Sequence, residues 1–203
     1  MDLFAAASSG NLPRVQELIA SGANVNATIN SGVPPLYIAS QEGHTEIVNA
    51  LIAAGANVNA ALNSGATPLF IASQEGHTEI VNALIAAGAN VNAAMNSGMT
   101  PLYIASLEGH TEIVNALIAA GADINMPVYR GKSVLQHARR GRFSPEISNI
   151  LFEACVAEET REPLPAGRTR NNVRRNCGAR VGGRRKTRKT KKSRKSRIVR
   201  RRR

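Results

Sequence analysis

Three histidines, His44, His77 and His110, recur every 33 residues, each with a glutamate two positions on (Glu46, Glu79, Glu112). An imidazole beside a carboxylate is a raw material of general acid–base catalysis and of metal sites. The spacing argues against both uses. Three identical pairs on separate units of a periodic chain cannot converge on one substrate atom, so the repeat itself accounts for them. No Gly-rich phosphate loop, nucleophile elbow or metal triad accompanies them. Neither catalysis, a cofactor nor a metal is therefore expected. Cys155 and Cys177 lack a CxxC or Cys/His context and predict two separate reduced thiols.

The other chemically able residues are cationic. From Pro163 onward, 41 residues hold 19 Lys or Arg and no acid. They are densest at Arg184, Arg185, Lys186, Arg188, Lys189, Lys191, Lys192, Arg194, Lys195 and Arg197. Residues 1–129 carry one base against nine acids (−8), residues 130–157 carry +3 and residues 158–203 carry +17, which gives the net +12. The chain is thus charged oppositely at its two ends. Like charges at this density, with Pro163, Pro165 and Gly167 opening a linker, predict a disordered polybasic tail over 158–203.

Four readings of the tail stay open. It is a nuclear or nucleolar targeting signal read by an importin-like receptor, or an RNA- or DNA-binding arm, or an anchor to an anionic membrane surface, or a solvated charge run with no partner of its own. No aromatic residue follows Phe152, so nucleic-acid contact would be phosphate-driven and salt-dependent, without base stacking. Thr187, Thr190, Ser193 and Ser196 fall every third residue behind bases, where phosphorylation would offset about −1.5 to −2 of charge per site. A 41-residue flexible chain spans roughly 35 Å, enough to reach back over the acidic repeats. No run of 18 apolar residues exists, so no membrane span is expected, and Met1-Asp2-Leu3-Phe4 does not read as a secretory signal.

The elements that must carry these residues are written three times. Residues 31–63 and 64–96 agree at 29 of 33 positions, and 64–96 and 97–129 at 24 of 33. In the middle copy Ser64-Gly65-Ala66 is turn chemistry, Thr67 caps a first helix with Pro68 at its first position, and Gly76 ends it. A second helix begins near His77-Thr78, buries the stripe Ile80, Val81, Leu84 and Ile85, and stops at Gly88. Helices of about ten residues do not hold alone in water, so each must lean on the next copy. Pro34 stands where Thr67 and Thr100 cap, which predicts one uncapped helix.

Thr67-Pro68-Leu69-Phe70-Ile71-Ala72, Gly76-His77-Thr78-Glu79-Ile80-Val81 and Gly88-Ala89-Asn90-Val91-Asn92 resemble the ankyrin repeat, whose signature reads TPLHxA, GHxEIV and GADVN. The resemblance implies an all-α solenoid of helix pairs and hairpin loops over residues 1–157. Its units are a cap repeat over 1–30, full repeats over 31–63, 64–96 and 97–129, and a degenerate cap over 130–157. The usual signature histidine is Tyr37, Phe70 and Tyr103 here. The resemblance gives His44, His77 and His110 a structural task at the start of each second helix. It also makes Asn59 and Asn92 like the asparagines that eukaryotic repeats can have hydroxylated.

The resemblance further implies a protein partner on the concave face and hairpin tips. Glu42, Glu75 and Glu108 would form a carboxylate ladder suited to a basic partner, or merely a solvated face. Met99 and Leu107 differ from the preceding copies and Tyr129 and Arg130 lie at the next tip, an apolar and aromatic cluster beside Glu108 that is either a binding hot spot or, for Leu107, packing against the last cap. The expected protein is a monomeric adaptor. It would act in the nucleus or cytoplasm of a eukaryotic cell, as its own product or delivered by a bacterium or virus.

Overall fold

The computed structural model describes residues 2–29, 32–159 and Cys177. Ten α-helices run in chain order: α1 (Leu3–Ser8), α2 (Leu12–Ala20), α3 (Pro35–Glu42), α4 (Thr45–Ala53), α5 (Pro68–Glu75), α6 (Thr78–Ala86), α7 (Pro101–Glu108), α8 (Thr111–Ala119), α9 (Val134–Arg139) and α10 (Pro145–Glu159). Among the described residues there is no strand, only an isolated bridge between Pro127 and Ser133. The fold is the all-α solenoid that the repeat period requires.

Local chemistry sets the ends. The Thr67 and Thr100 hydroxyls accept the Phe70 and Tyr103 backbone N–H groups, each with a proline at the first helical position. Pro34 leaves α3 without such a bond. The second helices α2, α4, α6 and α8 each end in a six-to-one and five-to-two pair of bonds. In α6 these are Ala89 N–H to the Leu84 carbonyl (2.9 Å) and Gly88 N–H to the Ile85 carbonyl (3.0 Å), with Gly88 at φ 84°.

The helices form two layers. First helices stack in series, α1 on α3, α3 on α5 and α5 on α7, and second helices likewise, α2 on α4 through α8 on α10. Between the layers lies one continuous core containing Leu36, Ile47, Leu51, Leu69, Ile80, Leu84, Leu102, Ile113 and Leu117, all under 3 % exposed. A smaller cluster of Tyr37, Ala66, Phe70, Ile71 and Ile104 lies under the hairpin loops. The buried hydroxyls of Ser40, Ser73 and Ser106 each donate to the carbonyl four residues back at 2.7 Å, so they cost the core little. Stacking is what lets these short helices hold, since each buries its apolar stripe against its neighbours.

The last unit departs from the pattern. Ser133 and Gln136 form a reciprocal capping box on α9. α9 does not sit on α7 as closely as the earlier first helices sit on one another. α10 has 15 residues where the other second helices have nine. This extension corrects the expectation for the cysteines. Cys155 of α10 and Cys177 form a disulfide with Cα atoms 5.8 Å apart, 22 residues apart in sequence. Both side chains are buried in the main core, and that shared burial, invisible in cysteine count and spacing, brings them together. The predicted tail of 158–203 otherwise lies outside the described residues from 160 onward, as does every cation named in it.

Candidate functional site

The three repeated histidines are occupied. The Nε2 atoms of His44, His77 and His110 donate to the carbonyls of Ser8 (3.2 Å), Gln41 (3.0 Å) and Gln74 (2.9 Å), each on the first helix of the preceding unit. Each ring also covers a glycine of that unit. A Cβ at Gly43 or Gly76 would lie 2.7 Å from the next unit's imidazole. Asparagines fasten the opposite edge. Asn59 Oδ1 accepts the Asn90 N–H at 2.8 Å and its Nδ2 donates to the Gly88 carbonyl at 3.4 Å; Asn26 and Asn92 repeat the arrangement. Asn59 and Asn92, singled out as possible hydroxylation targets, thus both bridge adjacent repeats. Among the described residues no group of three His, Cys, Asp or Glu is arranged to hold a metal ion, and no helix is long and apolar enough to cross a membrane.

The glutamates Glu42, Glu75 and Glu108 each end a first helix, α3, α5 and α7, and each is exposed. Stacking therefore sets one carboxylate per repeat along the same edge. Burial, and next the charge of Glu75, raise the pKa of Tyr37 above the ordinary tyrosine value, which places that carboxylate's field on the neighbouring repeat.

At the end of the array the surface changes sign. A cleft of about 450 Å³ opens between α7 and the last unit, lined by Leu107, Tyr129, Arg130, Lys132, His137, Arg140 and Arg142. Its lining residues Tyr129 and His137 belong to a ring cluster in which the buried Tyr103 lies 5.1 Å from His137, 5.9 Å from Phe143 and 6.0 Å from Tyr129, centroid to centroid. His137 Nε2 donates to the Tyr129 carbonyl at 3.1 Å. The Arg130 guanidinium sits 5.2 Å above the Tyr129 ring. Arg130 is also the only non-glycine with positive φ (56°) among the described residues. That conformation is strained for a side-chain-bearing residue by about 1–2 kcal/mol.

A family model for Ankyrin repeats (3 copies) matches residues 3–95 and again 60–128. The chain belongs to the ankyrin repeat family. No curated protein matches it.

Within this ankyrin array the residues expected to bind a partner divide. Leu107, Tyr129 and Arg130 meet in the cleft, with Leu107 37 % exposed and so not sealed against the last cap. Glu108 follows on the same helix but does not line the cleft. Glu42 and Glu75 lie on the repeats before. Met99 is half-buried and packs against both core clusters. Sequence reasoning missed Lys132, His137, Arg140 and Arg142. The signal was present in the change from −8 over residues 1–129 to +3 over 130–157. Nothing in the sequence announced that α9 would stand away from α7.

Proposed function

We infer that this chain, as ankyrin repeats generally do, serves in protein–protein interaction. We propose that this chain is a non-enzymatic, monomeric adaptor. Its array holds a basic protein partner along the edge bearing Glu42, Glu75 and Glu108, and its basic extension addresses the complex to the nucleus of a eukaryotic cell. The observation that carries the first half is the exposure of three carboxylates at one equivalent position on three stacked helices. Such a row attracts a cationic surface and sets its register. The second half rests on the 19 cations from Pro163 onward.

The test uses the full chain with Glu42, Glu75 and Glu108 changed to Lys, in affinity capture beside the wild type. Loss of captured proteins supports the edge; an unchanged set removes it. For the address, a fluorescent full-length fusion is compared with one in which Arg184 through Arg197 lose their cations to Gln. Nuclear accumulation only in the former supports the signal. The second reading, an arm that holds RNA or DNA through phosphates, is favoured by the same density of cations. It wins if nuclease treatment releases every partner. The Cys155–Cys177 bond pulls against a nuclear address, because the thiol pool of cytosol and nucleus keeps cysteines reduced. Thiol labelling of the accumulated fusion shows which state the chain has there.

A further inference from the structure

We propose that the cleft between α7 and the last unit is a second docking site, opposite in sign to the glutamate edge, for a short acidic segment of a protein partner that seats one apolar side chain against Leu107. The proposal rests on reading the array as a protein-binding scaffold and names the chemistry of one thing it binds.

Charge complementarity sets the class of ligand. Arg130, Lys132, Arg140 and Arg142 converge on one opening. Among the described residues none of the four has an ion-pair partner. The whole stretch 130–157 offers only Glu146 and Glu153 as acids. A solvated cluster of cations on an ordinary surface needs no cavity and no apolar floor; this one has both, in Leu107 and the edge of Tyr129. An exposed leucine beside converging cations fits a carboxylate-rich peptide with an aliphatic anchor.

The same geometry disfavours nucleic acid. A duplex carries one phosphate charge per ~1.7 Å and would run beyond so small an opening. On one side it would meet Glu108, Glu75 and Glu42. One face of Tyr129 is already covered by Arg130, which competes with a base for stacking there. Arg130 itself strengthens the case for a site. Its left-handed backbone is a local cost that holds its guanidinium over Tyr129 at the mouth, and strain of this kind concentrates where a ligand is held.

The experiment titrates the full chain with a fluorescein-labelled peptide of about ten residues, aspartate and glutamate around one central leucine, at about 0.15 M salt to screen the tail. The decisive variant leaves charge unchanged. Leu107→Gln installs the residue of the preceding repeat, Gln74, whose surroundings already accommodate it. It should weaken binding about tenfold, and Arg140→Gln with Arg142→Gln at least about tenfold. Replacing the peptide's leucine by serine should cost the same in the wild type and nothing more in Leu107→Gln. Lys191→Gln with Lys192→Gln should leave these ratios unchanged.

Equal affinity in wild type, Leu107→Gln and the double arginine variant would show that the tail holds the peptide, and the site is overturned. Tighter binding of an oligonucleotide of equal charge, independent of Leu107 but lost in the double variant, overturns it in favour of a phosphate site. Self-association that the double variant abolishes overturns it in favour of a second copy's acidic repeats. Partner capture that survives these cleft substitutions but is lost with Glu42, Glu75 and Glu108 refutes the cleft alone and leaves the scaffold standing.

Discussion

The interior seams of the array and its last seam are built from different materials. Between interior repeats two fasteners recur: an imidazole laid over a glycine and bonded to a carbonyl 36 residues earlier, and an asparagine bonded to both sides of the next loop. At the last seam the imidazole is gone. A Cβ at Gly109 would meet nothing within 4 Å, whereas one at Gly76 would strike His110. The final asparagine, Asn125, donates instead to the Glu158 carboxylate at 3.3 Å. A ring cluster of Tyr103, Tyr129, His137 and Phe143 fills part of the gap and leaves the rest open as the basic cleft. Identical copies lock together because each supplies the complement of the one before. Where the repetition stops, the surface is released from that constraint and its residues depart from the copy.

The sharpest way to break this comparison is a methyl group at each kind of seam. Gly76→Ala places a Cβ 2.7 Å from His110 on a backbone at φ 83°. The left-handed penalty of about 1–2 kcal/mol and the overpacking cost of about 1–3 kcal/mol together predict a loss near 3 kcal/mol. Gly109→Ala has the same backbone, φ 89°, but open space around it, and should cost only the first part, about 1 kcal/mol. Urea unfolding followed by circular dichroism checks both. Equal losses would mean that the imidazole yields freely and that the interior seam is not tight. Next in size is His77→Ala, which removes the bond to the Gln41 carbonyl and the ring's packing. It should cost about 1–2 kcal/mol, and an unchanged urea midpoint would refute the fastener role.

How much of this the chain disclosed beforehand follows the same division. The helix pairs, the proline-led starts and the glycine stops were legible because each depends on residues within a few positions, and the period multiplies the signal. That His44, His77 and His110 serve the repeat was legible from their 33-residue spacing, and each bonds a carbonyl of the preceding unit. Leu107, Tyr129 and Arg130 were noticeable because they break the copy. Their partners Lys132, Arg140 and Arg142 were not, since gathering them depends on how far α9 stands from α7, a long-range packing result. The disulfide was missed for the same reason. Cys155 and Cys177 meet through shared burial at the end of α10, and no local pattern encodes that.

Two smaller predictions sharpen the contrast. The Tyr103 hydroxyl is buried at the last seam with no hydrogen-bond partner, while the repeat before has Phe70 at the same place. A buried, unmade bond is a net cost, so Tyr103→Phe should stabilise the array by about 1 kcal/mol, opposite to the usual sign of deleting a polar group. A thermal melt that falls instead would mean that the hydroxyl has a partner in solution.

The smallest effect belongs at the other end of the comparison, where the first full repeat departs from its copies. α3 begins at Pro34 with no side-chain cap, whereas Thr67 and Thr100 cap α5 and α7. Pro34→Thr should restore a hydroxyl to accept the Tyr37 N–H, a gain of about 1 kcal/mol. The same change frees the unfolded chain from proline's restraint, which offsets about 0.4–1 kcal/mol. The net should be no more than about 0.5 kcal/mol, and favourable. The backbone at Pro34, φ −80° and ψ 157°, lies close to that of Thr67 at φ −102° and ψ 164°, so threonine can take the position without moving α3. Unfolding of the full chain by urea, with a crystal or NMR check that the introduced hydroxyl reaches the backbone, separates the two terms. A formed cap with no gain would show the unfolded-state term to be equal, and a loss larger than about 0.5 kcal/mol would show that Pro34 contributes packing that its copies do not need.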